Sequence, residues 1–268
     1  MEVLLTGIRD HVAHVTMNRP HVHNALNPEL MVRLARMWHQ LLADDQVRVV
    51  ILTGAGERAF CAGADLGRLI PLLSGARAPE DEWDREIIGR PEVIEHAVLK
   101  GIDFFKPVIA AVNGFCVAGG MELMLASDIR VAVDSASFGL QEVKWGIAPL
   151  GGGVARLPRQ MPWCNAMETL LTGNRFDAQE AWRLWLINYV VPRDQLMMKA
   201  GQLAAAIAEN GPLAVRVVKE GALRCAGTTL EQSFGIELEL RPIVEGSADA
   251  REGPRAFMEK RKPVFKGR

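Results

Sequence analysis

The chain has 268 residues, 49% hydrophobic and 24% charged, and this apolar content excludes a mostly disordered protein because it suffices for a core. Its 31 lysines and arginines almost balance 32 acidic residues, which argues against a nucleic-acid partner. The four cysteines are widely spaced, so we expect no disulfide framework, no thiolate metal site and a reducing, cytoplasmic setting.

Predicted strands and helices alternate up to residue 192. The first strand ends at Arg19-Pro20, and Asn27 followed by Pro28 is typical of a helix start, since Asn caps a helix and Pro fits its first turn. The Gly/Ala-rich residues 56–66 predict a loop, and the charged residues 72–91 predict a mobile excursion. Further strands are predicted at 47–54, 107–112, 129–133 and 189–191, and further helices at 92–105, 119–126 and 178–186.

The predicted elements after Pro192 are helices only. They cover 193–209, 212–225, 230–245 and 250–261, and the spacing Thr228-x-x-Glu231 predicts a capping box before the third. This change of character predicts an α/β core over residues 1–192 and a helical module over 193–268. No signal peptide is expected from the N-terminal residues, and no membrane span is expected because polar residues and glycines interrupt the most apolar stretch.

Glu122 is the first candidate for chemistry. It is the only charged residue between Pro107 and Ser127, and the predicted helix around it is apolar on most faces. A helix of that kind is normally buried, and a buried carboxyl group tends to have a raised pKa. Gly119-Gly120 precede it, and glycines at a helix start expose backbone N–H groups to a ligand. A carboxylate that only favours the helix dipole is the alternative interpretation.

Two further segments are weaker candidates when each is taken alone. The small-residue loop Phe60–Asp65 could present a second free N–H, and two such donors on one carbonyl oxygen make an oxyanion hole. Glu142 lies in a Gly-rich segment, and a second carboxylate near Glu122 would allow paired acid–base chemistry. The alternative for Glu142 is an ion pair with Lys144.

Other motifs favour other classes of protein but are incomplete. Gly54-x-Gly56-x-x-Ala59 matches a dinucleotide fingerprint, yet the following residues do not continue as a helix. The pair His21-x-His23 lacks a third ligand nearby, so a solvated loop is expected rather than a metal site. Cys61 and Cys116 lie in apolar surroundings and are expected in the core rather than as nucleophiles.

Taken together, the motifs resemble those of the crotonase (enoyl-CoA hydratase/isomerase) superfamily, and specifically its enoyl-CoA hydratases, over nearly the whole chain. The resemblance implies a crotonase-like spiral of ββα units with a C-terminal helical module for oligomerisation. The segments that carry it are MNRPHVHNALN, AFCAGADL, NGFCVAGGMELMLASDIRVA, ASFGLQEVKWGIAPLGGG and AFMEKRKPVFKGR.

The resemblance also assigns residues. It implies that the amides of Ala64 and Gly119 hold the thioester oxygen and that Glu122 and Glu142 are the two catalytic glutamates. The family's hydratases often carry a lysine after the AGAD-type loop, where this chain has Gly67 and Arg68, and His23 stands where a basic residue is frequent. The implied contacts with the coenzyme A ester are Ala62, Ala64, Asp65, Leu66, Arg68 and Gly119, with Phe257 and Lys260 from the tail or from a neighbouring subunit.

The reaction implied by the resemblance is addition of water to a trans-2-enoyl-CoA. Glu122 is expected to be the base and Glu142 the proton donor to C2, with a shared titration, and neither a metal nor a separate cofactor is required. The resemblance implies a homotrimer or a dimer of trimers. The segment 72–92, with Trp83, is predicted to border the acyl chain.

Several alternative functions remain open from the sequence. They are double-bond isomerisation, dehydration of a specialised 3-hydroxyacyl-CoA, non-catalytic binding of a CoA ester, an NAD-linked reaction and RNA binding. Isomerases can work with one carboxylate, so the presence of both glutamates favours hydration.

Overall fold

Ten strands and twelve α-helices form the part of the chain that the structure, a computed structural model, describes, residues 2–268. The strands are β1 (Leu4–Arg9), β2 (Val12–Met17), β3 (Val49–Gly54), β4 (Ala59–Cys61), β5 (Val108–Val112), β6 (Phe115–Val117), β7 (Ile129–Val133), β8 (Ser137–Gly139), β9 (Phe176–Asp177) and β10 (Tyr189–Val191). The helices are α1 (Pro28–Ala43), α2 (Leu69–Leu73), α3 (Glu82–Gly89), α4 (Glu92–Ala97), α5 (Gly119–Leu125), α6 (Gly153–Gln160), α7 (Trp163–Thr172), α8 (Ala178–Arg183), α9 (Leu196–Ala208), α10 (Pro212–Cys225), α11 (Leu230–Glu245) and α12 (Ala248–Met258).

The strands form two sheets. The larger has the order β1-β2-β3-β5-β7-β10, and all its pairs are parallel except β1 with β2. The smaller has the order β4-β6-β8-β9, with β4, β6 and β8 parallel. The pairs β3/β4, β5/β6 and β7/β8 each place one strand in either sheet, and helices follow the pairs, so the chain winds as a spiral of ββα units. The fold class implied by the resemblance is confirmed.

The turns between the paired strands stack closely on one another. A Cβ atom on Gly114 would lie 2.2 Å from the backbone oxygen of Arg58, so only glycine fits there. The buried Asn113 side chain donates to the backbone oxygens of Gly54 and Gly56, each at 2.8 Å. These contacts satisfy backbone groups that the stacking removes from water, and they fix the corners of the spiral.

Most elements of the core are confirmed. The helix start at Asn27 is correct, since the Asn27 side chain accepts from the N–H of Leu30 at 3.0 Å. The runs predicted as strands at 47–54, 107–112, 129–133 and 189–191 correspond to β3, β5, β7 and β10. β3 and β5 are buried along nearly their whole length, as expected for central parallel strands covered on both faces.

Among the helix ends that were predicted incorrectly, two have a clear structural cause. The helix predicted at 92–105 ends at Ala97, because the chain turns through positive φ at Leu99 and Gly101. The capping box before α11 is formed by Thr229 and Gln232 rather than by the pair one residue earlier. Thr228 instead donates its hydroxyl hydrogen to the backbone oxygen of Cys225, at the end of α10.

The segment predicted as an irregular excursion contains a helix and a buried ion pair. Asp81 caps α3, and the side chain of Asp84 is fully buried within it. Arg77 donates to both oxygens of the Asp84 carboxylate, at 2.5 and 2.9 Å. These hydrogen bonds hold the pKa of Asp84 down at about 2.

We expect Asp84→Asn to lower the free energy of unfolding at pH 7 by about 2–3 kcal/mol, because the pKa of Asp84 is lowered from about 3.9 in the unfolded chain. A depressed pKa gives stability that is present above pH ~4 and is lost as the pH falls toward 2. Denaturant unfolding should therefore separate Asp84→Asn from the wild type at pH 7 and bring them together near pH 2. The exposed Glu82→Gln is the control, and a constant difference across pH would contradict the ion-pair explanation.

The helices after residue 192 differ in their packing. α9 buries Leu196, Ala200, Ala204 and Ala208, and it contacts strands β3, β5 and β7 of the larger sheet. α10 and α11 pack on each other and expose several large apolar side chains: Val218, Leu223, Leu230, Phe234, Leu238 and Ile243. The two-domain division stays a prediction. Within residues 2–268, no helix combines the length and apolarity needed to cross a bilayer.

Candidate active site

The candidate residues meet at one edge of the smaller sheet. The strands β4, β6 and β8 run parallel, so their carboxyl ends lie at the same edge. The small-residue loop follows β4, Gly119 and Glu122 follow β6, and Glu142 follows β8 in a 3-10 turn. This sheet was not predicted from the sequence, and it explains why three segments far apart in the chain form one site.

The amides of Ala64 and Gly119 are close together because Gly63 lies between their segments. Gly63 has φ +86°, and a Cβ atom there would lie 2.6 Å from the Cβ of Ala118 and 3.0 Å from the Gly119 nitrogen. A Cβ on Gly119 would lie 3.6 Å from the Ala64 nitrogen. Within residues 2–268, neither amide donates to a protein acceptor. Two free N–H groups therefore face one small space.

Strained backbone orients the second of these donors. Ala118 has φ 50° and ψ −132°, a conformation that residues with a Cβ rarely adopt and that costs about 1–3 kcal/mol. Its own N–H donates to the backbone oxygen of Gly139 at 2.8 Å. Since ψ of Ala118 sets the direction of the next peptide N–H, this conformation fixes the direction of the Gly119 amide.

Glu122 is buried in the first turn of α5, with 6% of the residue exposed. Its Oε1 accepts from the N–H of Gly153 at 2.9 Å, at the start of α6. Burial raises the pKa of Glu122, while the N–H groups of Gly153 and Gly151 and the charges of Arg156 and Lys100 oppose that rise. Sequence reasoning recorded the glycines at 151–153 only as a Gly-rich run and missed that they hold a carboxylate.

Glu142 is equally buried, at 7% exposed, but has different surroundings. Its Oε2 has no hydrogen-bond partner among the described residues. Burial raises the pKa of Glu142 to about 7, and the nearby charge of Glu122 adds to the rise. The alternative pairing with Lys144 is absent in the structure, since the Lys144 ammonium donates to the Asn174 side chain at 2.9 Å.

Both glutamates line one cavity of about 400 Å³. The cavity is also lined by Ala62, Ala64, Leu66 and Gly119. It therefore combines the two carboxyl groups with a largely apolar wall. The remaining lining residues are Ile70, Ile94, Glu95, Val117, Ala118, Gln141, Trp145, Ile147, Ala148, Leu150 and Gly151. A site with converging donors, two carboxyl groups and apolar walls suits a small acyl group that reacts at its carbonyl end.

Asp65 and Arg68 lie beside the cavity but not in its wall. Asp65 pairs with Arg19 at 3.0 Å and accepts from the N–H groups of Gly67 and Arg68 at 3.0 and 3.1 Å. Arg68 pairs with Glu80 at 2.6 Å and with Asp81 at 3.2 Å. Both side chains are thus engaged in holding the loop after β4.

The tail residues and Trp83 lie away from the cavity within a single chain. Phe257, at the end of α12, is 82% exposed, and Lys260 follows that helix. Trp83 lies beneath the guanidinium groups of Arg33 and Arg36, at 5.0 and 5.4 Å from the ring centre. Trp83 is not among the residues that line the cavity, whose wall includes Ile70 and Ile94 on either side of the segment 72–92. The proximity of this segment to the acyl chain stays a prediction.

The other motifs have structural explanations. Residues 54–59 lead into strand β4 rather than a helix, so they do not form a dinucleotide site. Burial raises the pKa of Cys61 to about 12 and that of Cys116 well above its usual range, which confirms both as core residues. His23 contacts the Phe115 ring edge-on, and no cluster of three potential metal ligands occurs among residues 2–268.

Comparison with known proteins identifies the class of enzyme to which this spiral fold belongs, with its two buried glutamates and two free amides in one cavity. The family model for enoyl-CoA hydratase/isomerase matches residues 7–268. The chain is 43% identical over 260 residues to enoyl-CoA hydratase EchA19 of Mycobacterium tuberculosis, covering 97% of this chain and 95% of the relative.

Two further relatives broaden the comparison. The chain is 39% identical over 265 residues to carnitinyl-CoA dehydratase of Proteus mirabilis, covering 97% of each protein. A crystal structure of enoyl-CoA hydratase from Bacillus anthracis superposes with a TM-score of 0.89 at 38% identity, covering all of both chains. The chain belongs to the enoyl-CoA hydratase/isomerase family and is an enzyme of the crotonase type.

Proposed function

We propose that this enzyme is an enoyl-CoA hydratase that adds water reversibly to a trans-2-enoyl-CoA and forms a 3-hydroxyacyl-CoA. One observation carries the proposal: two buried carboxyl groups in unlike surroundings line the same cavity as two free amides. The chemistry needs an oxygen clamp, a base and an acid, and the cavity has a candidate for each.

The amides of Ala64 and Gly119 are proposed to bind the thioester oxygen. Attack of water at C3 moves negative charge onto that oxygen as an enolate, and fixed donors in a dry site stabilise it. Loss of one such donor typically costs about 3–4 kcal/mol of transition-state stabilisation. The Gly63 contact and the strained Ala118 backbone support this role, since both fix the donors before the substrate binds.

The glutamates are proposed to divide the proton transfers. Glu122 faces two cations and two backbone N–H groups, so it is the carboxyl group that ionises first and accepts a proton from the attacking water. Glu142 faces no cation and has a pKa of about 7, so it stays protonated beside ionised Glu122 and gives its proton to C2. A proton then returns from Glu122 to Glu142 through solvent, and the pair titrates as a unit.

The competing functions fit the cavity less well. Isomerisation can use a single carboxyl group, which would leave the second buried carboxyl without a role at a considerable cost in stability. A silent CoA-ester binder likewise has no use for an unpartnered Glu142 oxygen. Dehydration of a 3-hydroxyacyl-CoA is the same reaction in reverse. It stays open as the physiological direction, since one relative is named carnitinyl-CoA dehydratase.

The remaining assignments follow the family resemblance. We propose that the loop after β4 contacts the CoA ester, through Ala62, Asp65, Leu66 and Arg68. We also propose that Phe257 and Lys260 contact the CoA ester bound by a neighbouring subunit in a trimer or a dimer of trimers. The exposed apolar faces of α10 and α11 support such an assembly. No separate cofactor enters this scheme, and the four unpaired cysteines support a cytoplasmic setting.

A substrate panel tests the proposal. Purified protein is mixed with trans-2-enoyl-CoA esters of graded length and branching, and loss of the conjugated thioester absorbance is followed, with product identified by mass. Apolar walls from Ile70, Ile94, Ile147 and Leu150 favour apolar acyl groups. We expect the product of at least one ester to be heavier by one water, about 18 mass units. Positional isomers of unchanged mass would support an isomerase and overturn the proposed hydratase activity.

A further inference from the structure

Arg156, on α6, joins the segments that surround Glu122. Its Nη1 donates to the backbone oxygen of Val98 at 3.1 Å, with longer contacts to those of Glu122 at 3.4 Å and Gly151 at 3.5 Å. Its Nη2 donates to the backbone oxygen of Leu99 at 2.7 Å. One guanidinium thus contacts the turn after α4, the helix that carries Glu122 and the loop before α6.

The loop that Arg156 contacts is the one that holds the Glu122 carboxylate. Gly151 and Gly153 approach that carboxylate so closely that a Cβ on them would lie 2.7 and 3.2 Å from its oxygens. Gly152 has φ +122°, and a Cβ there would lie 2.6 Å from Nη1 of Arg156. Three successive glycines therefore fit between the guanidinium and the carboxylate, and movement of Arg156 would move the N–H groups that Glu122 uses.

Charged groups of both signs lie near Glu122. Arg156 and Lys100 lower the pKa of Glu122 against the effect of burial, and Glu142 lines the same cavity. Glu95, on α4, pairs with Lys100 and also faces Arg156. Lys100 donates to the backbone oxygen of Leu150 at 3.0 Å, so it holds the same loop from outside.

We propose that Arg156 is a positioning residue, which clamps the loop Gly151–Gly153 onto the Glu122 carboxylate. Its charge also opposes the effect of burial on the pKa of Glu122. The proposal rests on the proposed function for the roles of the two glutamates. It adds a residue that touches neither substrate nor the reacting atoms, and it explains how the carboxylate of Glu122 keeps its place beside the amides of the loop.

The test compares pH profiles of kcat/KM for hydration by wild type, Arg156→Lys and Arg156→Met. The acid limb reports the ionisation of Glu122 and the basic limb the loss of the Glu142 proton, near pH 7. Arg156→Met removes a cation, so the acid limb should move up by about one pH unit, and kcat should fall about 100-fold because the carboxylate loses its fixed position. KM should change less than about threefold, since Arg156 does not contact the ester.

Arg156→Lys keeps the charge without the fork of donors. It should leave the acid limb within about 0.3 pH unit of the wild type while kcat stays about tenfold low. Arg159 is exposed and lies one turn along α6, so Arg159→Met removes a like charge at a control position. We expect it to change kcat less than about twofold and to move each limb by less than about 0.3 pH unit. If Arg156→Met loses activity only in proportion to its folded fraction and keeps the wild-type pH profile, the residue is merely structural and the proposal fails.

Two further measurements keep the outcome decisive. If Arg156→Met does not fold, Lys100→Met replaces it, because Lys100 is half-exposed, holds the same loop and also lowers the pKa of Glu122. Its loss should move the acid limb up by a smaller amount. An unchanged limb would contradict the proposal. If the wild type hydrates no ester, the proposed function fails by itself. The ¹³C shift of the Glu122 carboxyl carbon, assigned with Glu122→Gln, then still reports whether Arg156→Met raises its pKa.

Discussion

Glu142→Gln is expected to lower kcat for hydration of trans-2-butenoyl-CoA by about 10³-fold or more, because an amide cannot deliver a proton to C2. Binding of butanoyl-CoA should remain nearly intact, since the Gln side chain fills the same space and Oε2 of Glu142 makes no protein hydrogen bond that would be lost. Absorbance of the conjugated thioester measures turnover, and calorimetry with the unreactive ester measures binding.

The same substitution should stabilise the protein. The pKa of Glu142 is raised to about 7, so the wild type loses stability as the pH rises from about 4.3, the unfolded value, to 7. Glu142→Gln removes this penalty and should raise the free energy of unfolding at pH 8 by about 1–3 kcal/mol, with no gain at pH 4. Glu168→Gln, exposed on α7, is the control. Wild-type turnover in Glu142→Gln would refute the assignment of the acid.

Gly119→Pro should lower kcat/KM by about 10²–10³-fold, because proline has no N–H and the thioester oxygen loses one of its two donors. Proline is tolerated at the first position of a helix, which Gly119 occupies in α5, although its ring disfavours the backbone conformation of Ala118, so kcat/KM is expressed per folded protein. Turnover of the same ester and the melting temperature are measured together.

Gly119→Ala is the matched control for this prediction. It keeps the N–H, and its Cβ would be tight only against the movable end of Leu26 at 3.3 Å, while the Ala64 nitrogen and the Gly63 Cα, both at 3.6 Å, would be in ordinary van der Waals contact. We expect its kcat/KM to stay within about tenfold of the wild type. Equal losses in the alanine and proline variants would indicate that crowding, rather than the missing donor, causes the effect, and the oxyanion-hole assignment would then be withdrawn.

Local patterns were sufficient to predict the central elements. Asn27-Pro28 marks the start of α1, and the β-branched runs mark β3 and β5, because capping and burial act on neighbouring residues. The anomaly of Glu122 was likewise visible, since a single carboxylate in an apolar helix must be buried. These features depend on spacings of a few residues.

Short-range patterns failed where distant residues decide the structure. The segment around Asp84 is charged, which is typical of a solvated loop, yet it folds as α3 because Arg77 neutralises the buried carboxylate. The smaller sheet was missed because β4, β6 and β8 have only three residues each, too few to show a period of two. The clamp by Arg156 had no sequence signal, because its acceptors are backbone oxygens.

The sequence by itself therefore singled out the two candidate side chains, a carboxyl group in an apolar helix and a second one in a Gly-rich run. Only the tertiary structure decided that they share a cavity and have different surroundings. The physical reason is that the free energy of a buried carboxyl group depends on the groups around it. Here those groups are two cations and the amides of Gly151 and Gly153 at Glu122, whereas Glu142 has no cation and only its own amide, and the groups around Glu122 come from segments that meet only in the folded chain.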